Sequence, residues 1–211
     1  MNILITGGSQ GIGQAIVQHL LQTTDSHIYY TFNQTKTDYN NERCTPFHVD
    51  FTNEESFHEF ILQLNDIQID VVINNYHTGY HQIHAHKLQS DNLLNGFSHN
   101  VVPVILLTNF LMLKFRKQKG GKIITILTSA IKEFTTGWSQ YVAEKRYLSA
   151  FVEGWNIENK SFGITSSAIY PGFINTNIHK DLPEFLRQQN SNESALIEVL
   201  RDITDSLHLK V

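Results

Sequence analysis

"LITGGSQGIGQAIVQHLL", residues 4–21, is the stretch on which the fold turns. It opens inside an apolar run of strand length, "NILIT", passes through Gly7, Gly8, Gly11 and Gly13, and continues from Ile12 with apolar residues at helical spacing. Gly7, Gly11 and Gly13 fall where a backbone must turn tightly and approach a phosphate. A pyrophosphate there would rest on the amino end of the helix, held by N–H groups without intrahelical partners and by the helix dipole. The competing reading is that these glycines only pack strand against helix, so the rest of the chain has to decide.

Outward from this turn, apolar runs of strand length alternate with longer segments of helical period. They run as "NILIT", Ile12 to Gln22, "HIYYTF", "TPFHV", Glu54 to Leu64, "DVVIN", Leu93 to Phe115, "KIITIL", Ser139 to Asn159 and "ITSSAIY". That order implies a parallel sheet, and strands that are apolar throughout imply helices on both faces. The expected architecture is therefore α/β, a Rossmann-type doubly wound sheet in three α/β/α layers. Thr52 with Glu55, Asp181 with Glu184 and Asn190 with Glu193 read as helix starts. Pro103 should kink the long apolar helix or lie in its first turns. Residues 33–43 are polar and unpatterned and read as a loop.

A chain of 211 residues and 24.2 kDa fits one well-filled core, a single domain over 1–211, better than two. A net charge of -4 with scattered basic residues gives no long-range attraction to nucleic acid or anionic lipid. The single cysteine, Cys44, forms no internal disulfide, and the amino end lacks the pattern of a signal peptide, so a cytoplasmic location is expected. "VVPVILLTNFLMLKF", interrupted by Thr108 and Asn109, reads as a buried or interface helix too short for a membrane span.

"TSAIKEFTTGWSQYVAEK", residues 128–145, carries the chemistry. Tyr141 and Lys145 lie one helical turn apart and share a face. A free tyrosine has a pKa of about 10, so acting as a base near neutral pH needs a fall of roughly two to three units, and an ammonium at Lys145 is the obvious source. The same ammonium could bond the hydroxyls of a ribose. Alone, such a pair is more often a surface feature of a helix.

Together with the glycine turn, the pair resembles the short-chain dehydrogenase/reductase family, in its compact C-factor-like branch. "TGGSQGIG" is similar to that family's cofactor turn, "DVVINNYH" to its central strand and asparagine motif, "YVAEK" to its catalytic pair, and "YPGFINT" to its proline-glycine loop. The likeness covers about residues 1–176. It implies that Tyr141 moves a proton at the substrate oxygen while a hydride passes to or from C4 of a nicotinamide, and that Lys145 supports both phenolate and ribose. Asn100 matches the asparagine that holds a relay water. Aligned without a gap, the substrate-orienting hydroxyl falls on Thr128, with Ser129 as its substitute; a strand directs the two to opposite faces. The implied cofactor contacts are Gly7, Ser9, Gln10, Gly11, Ile12, Gly13, Asn33, Asp50, Phe51, Asn74 and Asn75, then Tyr141, Lys145, Pro171, Gly172, Ile174 and Thr176. Among these, Asp50 would accept from the amino group of an adenine.

The pattern is broken in places. Asn74 and Asn75 are followed by Tyr76 and His77, where the family has two small residues that let the backbone pass the cofactor; the pair puts nucleotide pose or affinity in question, or points into the substrate cleft. His77, His81, His84 and His86 have no known zinc spacing and no completing ligands, so no metal is expected. The chain passes from an amphipathic helix, Ser194 to Leu207, into "HLKV", which suggests that the usual last strand is short or missing and a sheet edge open. Residues 177–190 resemble the substrate lid. Strand two ends in "YYTFNQTK", with Asn33 where an acid would select NAD and with Lys36 nearby, so NADP(H) is favoured over NAD(H).

Two functions follow. One is an NAD(P)-dependent oxidoreductase of a small carbonyl or alcohol substrate, with Tyr141 as general acid/base. The other is a nucleotide-binding regulatory or cell-signalling relative with little turnover, which the changes at Tyr76, His77 and Thr128 favour. Phe110, Leu111, Leu113, Tyr147, Phe151 and Trp155 exceed what one sheet face covers, which suggests a homodimer or homotetramer.

Overall fold

The computed structural model describes residues 1–79, 82–174 and 193–208. The strands are β1 (Asn2–Ile5), β2 (His27–Phe32), β3 (Cys44–His48), β4 (Val71–Asn74), β5 (Gly121–Ile126) and β6 (Ile164–Ile169). The helices are α1 (Gly11–Thr23), α2 (Glu54–Gln63), α3 (Ser90–Asn100), α4 (Val102–Gln118), α5 (Ser139–Asn159) and α6 (Glu193–His208). All strand pairs are parallel, in the order β3-β2-β1-β4-β5-β6. This is the three-layer doubly wound sheet that the alternating pattern implies.

Alternation along each strand feeds two cores. Leu4, Val72 and Ile123 face one side, under Phe60 of α2, Leu107, Leu111 and Phe115 of α4, and Val152 and Trp155 of α5. Ile3, Ile5, Val71, Ile73 and Ile124 face the other, under Ile16, Val17 and Leu20 of α1 and Val199 and Ile203 of α6. Burial on both faces is why these strands are apolar at nearly every position. The strand order reverses between β1 and β4, and the crevice beyond the carboxyl ends of such strands is where this architecture binds ligands.

Three local expectations shift. The apolar segment expected as one helix from Leu93 to Phe115 is two, parted at Val101, with Pro103 in the first turn of α4 where its missing N–H is harmless. Together they run 29 residues, long enough by length and composition to cross a membrane, so the expected shortness does not hold; half of the apolar window is buried in the protein itself. Helix α2 is capped by Asn53, whose side chain accepts from Ser56 N at 2.9 Å, because the Thr52 hydroxyl is engaged by Asp50 at 2.7 Å. The 33–43 segment is a loop as expected, but a tightly held one. Tyr39 donates to the Gly8 carbonyl, Thr37 Oγ1 to Ser9 O at 2.6 Å, and Tyr30 Oη to Thr37 O at 2.5 Å. Thr176, His81, the 177–190 lid, the caps expected at Asp181 and Asn190, and the last residues 209–211 lie outside the described residues.

Candidate active site

The glycine turn is shaped by close approach. Gly7 and Gly11 have φ of +66° and +56°, a region that costs a side-chain-bearing residue strain. A Cβ on Gly13 would lie 2.1 Å from Gly7 O and 2.6 Å from Asn75 Nδ2, so helix and turn meet with no room for a methyl group. Gly7 N donates to Thr31 Oγ1 at 2.8 Å and Gly8 N to Thr31 O at 3.0 Å, fixing the turn to β2. From the β4 side, Asn75 Nδ2 donates to Thr6 O at 3.0 Å and Gly7 O at 3.1 Å, and Asn75 N and Tyr76 N both reach Thr6 Oγ1 at 3.0 Å. Helix α1 starts on Gln10 without a side-chain cap and without an acid in its first turn, which leaves its positive end suited to an anion. Ser9 is buried and Ile12 half-buried beside it.

The other residues expected at a cofactor divide. Asn33 and Asp50 come together: hydrogen bonds from Thr52 and from Asn33 hold the Asp50 carboxyl below its ordinary range. Phe51 is buried, with the Tyr76 ring 4.4 Å from its own. Tyr76 therefore turns onto Phe51 and the core rather than across the glycine turn, which removes one of the two obstacles read from the sequence. Asn74 does not face the crevice; it is 3% exposed and donates to Thr108 Oγ1 at 3.0 Å, so it belongs to the packing of β4 on α4. Pro171 is buried, with its carbonyl accepting from Ser129 N at 2.8 Å, while Gly172 is exposed and Ile174 half-buried.

Beyond β5 and along α5 the chemical residues converge. Thr128 is 7% exposed, its hydroxyl bonded to Tyr141 and accepting from Ala130 N at 3.2 Å. Ser129 opens a short 3-10 turn, Ser129–Ile131, and is half-buried. Lys145, 4% exposed, donates to the Ile126 carbonyl at 2.9 Å, its Nζ 5.9 Å from the centre of the Tyr141 ring. Trp138 and His77 meet that ring edge-on at 5.8 and 5.1 Å. Burial pushes the Tyr141 phenol up to about 12, against the pull of the Thr128 bond. Acting as a base would need a downward shift, whereas burial and then the Glu144 charge disfavour the phenolate here; Lys145 is itself lowered to about 8 by burial.

Asn100 closes α3 beside this group. Its Oδ1 accepts from Thr78 N at 2.8 Å, and its Nδ2 donates to Thr78 O at 3.0 Å and to Glu144 Oε2 at 3.1 Å. Glu144 is the residue that reading "YVAEK" as a tyrosine-lysine pair passes over. It is 6% exposed and also accepts from His77 Nε2 at 3.0 Å and Gln140 Nε2 at 3.0 Å. The available signal was a carboxylate on the same face as Tyr141 and Gln140, three and four residues away. His84 and His86 lie apart from it with rings 5.9 Å from each other, and among the described residues no three metal-ligating side chains converge.

The fold is a doubly wound α/β sheet in which a tyrosine and a lysine meet beyond the ends of the strands. The chain belongs to the short chain dehydrogenase family, whose model matches residues 1–187. It is 26% identical over 216 residues to a benzil reductase ((S)-benzoin forming) of Bacillus subtilis, spanning 98% of this chain and 86% of that one. It is 24% identical to a 3-oxoacyl-[acyl-carrier-protein] reductase of Vibrio harveyi, over 85% of this chain and 75% of the other. Among solved structures, ElxO with NADP bound superposes with a TM-score of 0.81 at 19% identity, covering 99% of this chain and 92% of that chain. A short-chain dehydrogenase from Streptomyces avermitilis superposes with a TM-score of 0.75 at 25% identity, covering 83% and 68%.

Proposed function

We propose that this protein is an NAD(P)H-dependent reductase of a small carbonyl compound, with Tyr141 as the proton donor. The observation that carries this reading is a single cluster in which Thr128 bonds the Tyr141 phenol, with Lys145 behind its ring. A phenol so placed can supply the proton that the developing alkoxide of a reduction needs. The two curated relatives named above are both reductases, which agrees with that direction.

The cradle fits a dinucleotide. The uncapped start of α1, with Gly7 in the turn before it and Gly11 at its first position both left-handed, would take the pyrophosphate, Asp50 with Asn33 bonded to it would read base and ribose, and Lys145 would meet the nicotinamide ribose. When bound, the reduced nicotinamide supplies the hydride. Thr128 orients the carbonyl oxygen, Tyr141 Oη–H delivers its proton to that oxygen, and the Lys145 ammonium steadies the phenolate left behind. With Asn33 rather than an acid at the end of β2, NADP(H) is the preferred cofactor.

Of the residues read as an apolar excess, Leu111 and Trp155 are spent in the core, while Leu113 and Tyr147 are exposed; with Leu94, Phe97 and Leu106 these make the surface through which the chain would form a homodimer or homotetramer. Sedimentation at micromolar concentration should show the oligomer; a monomer alone would remove that part.

The deciding test titrates the protein with NADPH and NADH by cofactor fluorescence, then screens ketones with Tyr141→Phe as control. Saturable binding of NADPH, with turnover lost by about 10²-fold or more in the variant, is the expected result. Binding of neither cofactor at millimolar concentration would overturn the reading, and binding without turnover of any ketone would leave the regulatory alternative.

A further inference from the structure

Three elements send donors to one buried carboxylate. His77 Nε2 from the loop after β4, Asn100 Nδ2 from the end of α3 and Gln140 Nε2 from α5 all reach Glu144, at 3.0, 3.1 and 3.0 Å. A carboxylate with three donors and 6% exposure is held in one position. Its chain neighbour is Lys145, an ammonium 4% exposed whose one described hydrogen bond is to the uncharged Ile126 carbonyl.

We propose that Glu144 is a positioning residue for Lys145: its fixed carboxylate is the counter-charge that keeps the lysine an ammonium inside the closed site, and His77 holds that carboxylate in place.

The surroundings of Lys145 support this. The titratable groups facing it are Tyr141 and Glu144 on α5 and His77 on the β4–α3 loop; β5 and the turn after it bring only the Ile126 carbonyl and the Thr128 hydroxyl. His77 is held neutral by burial, so it donates through Nε2 without cancelling the carboxylate's charge. Tyr141 is a neutral phenol. One positive and one negative charge remain, and the carboxylate opposes the loss of the lysine proton that burial promotes. The placement also gives His77, a bulky residue at a position where the resemblance leads one to expect a small one, a definite task.

The inference rests on Lys145 being the cation of the proposed site, but its test needs neither cofactor nor substrate. In protein labelled with 13Cε-lysine, the Lys145 resonance is assigned by its loss in Lys145→Arg and followed against pH. A wild-type midpoint near 8 is expected. In Glu144→Gln the midpoint should fall by about one unit or more, the size of effect an adjacent opposite charge exerts. His77→Gln, whose amide can still donate to the carboxylate, should return a midpoint close to wild type. A folded Glu144→Gln protein whose Lys145 midpoint stays within about 0.3 units of wild type would overturn the proposal, even if its thermal stability had dropped; that limit is well inside the shift expected. Should Glu144→Gln fail to fold, Glu144→Asp sets the charge one methylene back, and its midpoint should lie below wild type; one at or above wild type would overturn the proposal. A wild-type protein that binds no nicotinamide nucleotide would sink the reductase reading while leaving this result to stand or fall alone.

Discussion

Thr128 and Ser129 are adjacent hydroxyls in unequal surroundings. Thr128 is buried against Tyr141, whereas Ser129 begins the turn that follows and gives its N–H to Pro171. If the Thr128 hydroxyl orients the substrate oxygen, Thr128→Ala should lower turnover by about 10²-fold, as loss of a donor aimed at a developing oxyanion does elsewhere, and Ser129→Ala by only a few-fold. Steady-state kinetics on one ketone decides between them; the reverse order would move the role to Ser129. The direction in which each hydroxyl points was open in the sequence, because the strand ends at Ile126 and its alternation no longer governs residues 128 and 129. The rise in the Tyr141 pKa was also hidden, since burial of the ring is completed by His77, a contact made from the loop after β4 rather than along the helix that carries Tyr141 and starts on Trp138.

At the scale of elements, glycine spacing and apolar runs made the sheet legible, because the central strands β1 and β4 bury both faces and the helices cover them. What the sequence left dark is how α3 meets α5. Gly96 lets them approach: a Cβ there would fall 1.9 Å from Gln140 Nε2 and 2.2 Å from Glu144 Oε1. Gln140 is half-buried and can swing aside, but Glu144 is fixed by His77 and Asn100. Gly96→Ala should therefore destabilise the protein by about 1–3 kcal/mol, the usual range for overpacking, despite alanine's better helix propensity. Urea denaturation with an unchanged m-value would measure it; a gain in stability would mean that the two helices part without loss. Gly13→Ala tests the opposite end of the crevice. The neighbour there is the Gly7 backbone oxygen at 2.1 Å, which cannot rotate away, so NADPH affinity should fall at least about tenfold as the turn is displaced.

For the whole molecule, the buried lysine ties stability to pH. Burial lowers Lys145 from 10.5 to about 8, so the folded chain holds that proton less tightly than the unfolded chain does. Below about 8 both states are protonated and the cost of burying the ammonium applies in full. Between about 8 and 10.5 the unfolded chain binds more protons than the folded one, and stability rises with pH as the cost fades. The shift corresponds to about 3 kcal/mol, at roughly 1.4 kcal/mol per unit. Lys145→Met removes that cost but strands the Ile126 carbonyl, worth about 1 kcal/mol, and leaves Glu144 without its counter-charge. The variant should therefore be more stable than wild type by about 1–2 kcal/mol at pH 7 and lose the advantage by pH 10, while turnover disappears at both. Urea unfolding at the two pH values checks this. A Lys145→Met protein less stable than wild type at pH 7 would mean that the carboxylate and the carbonyl together outweigh the desolvation of the ammonium, and that the site is held together by the charge its chemistry uses.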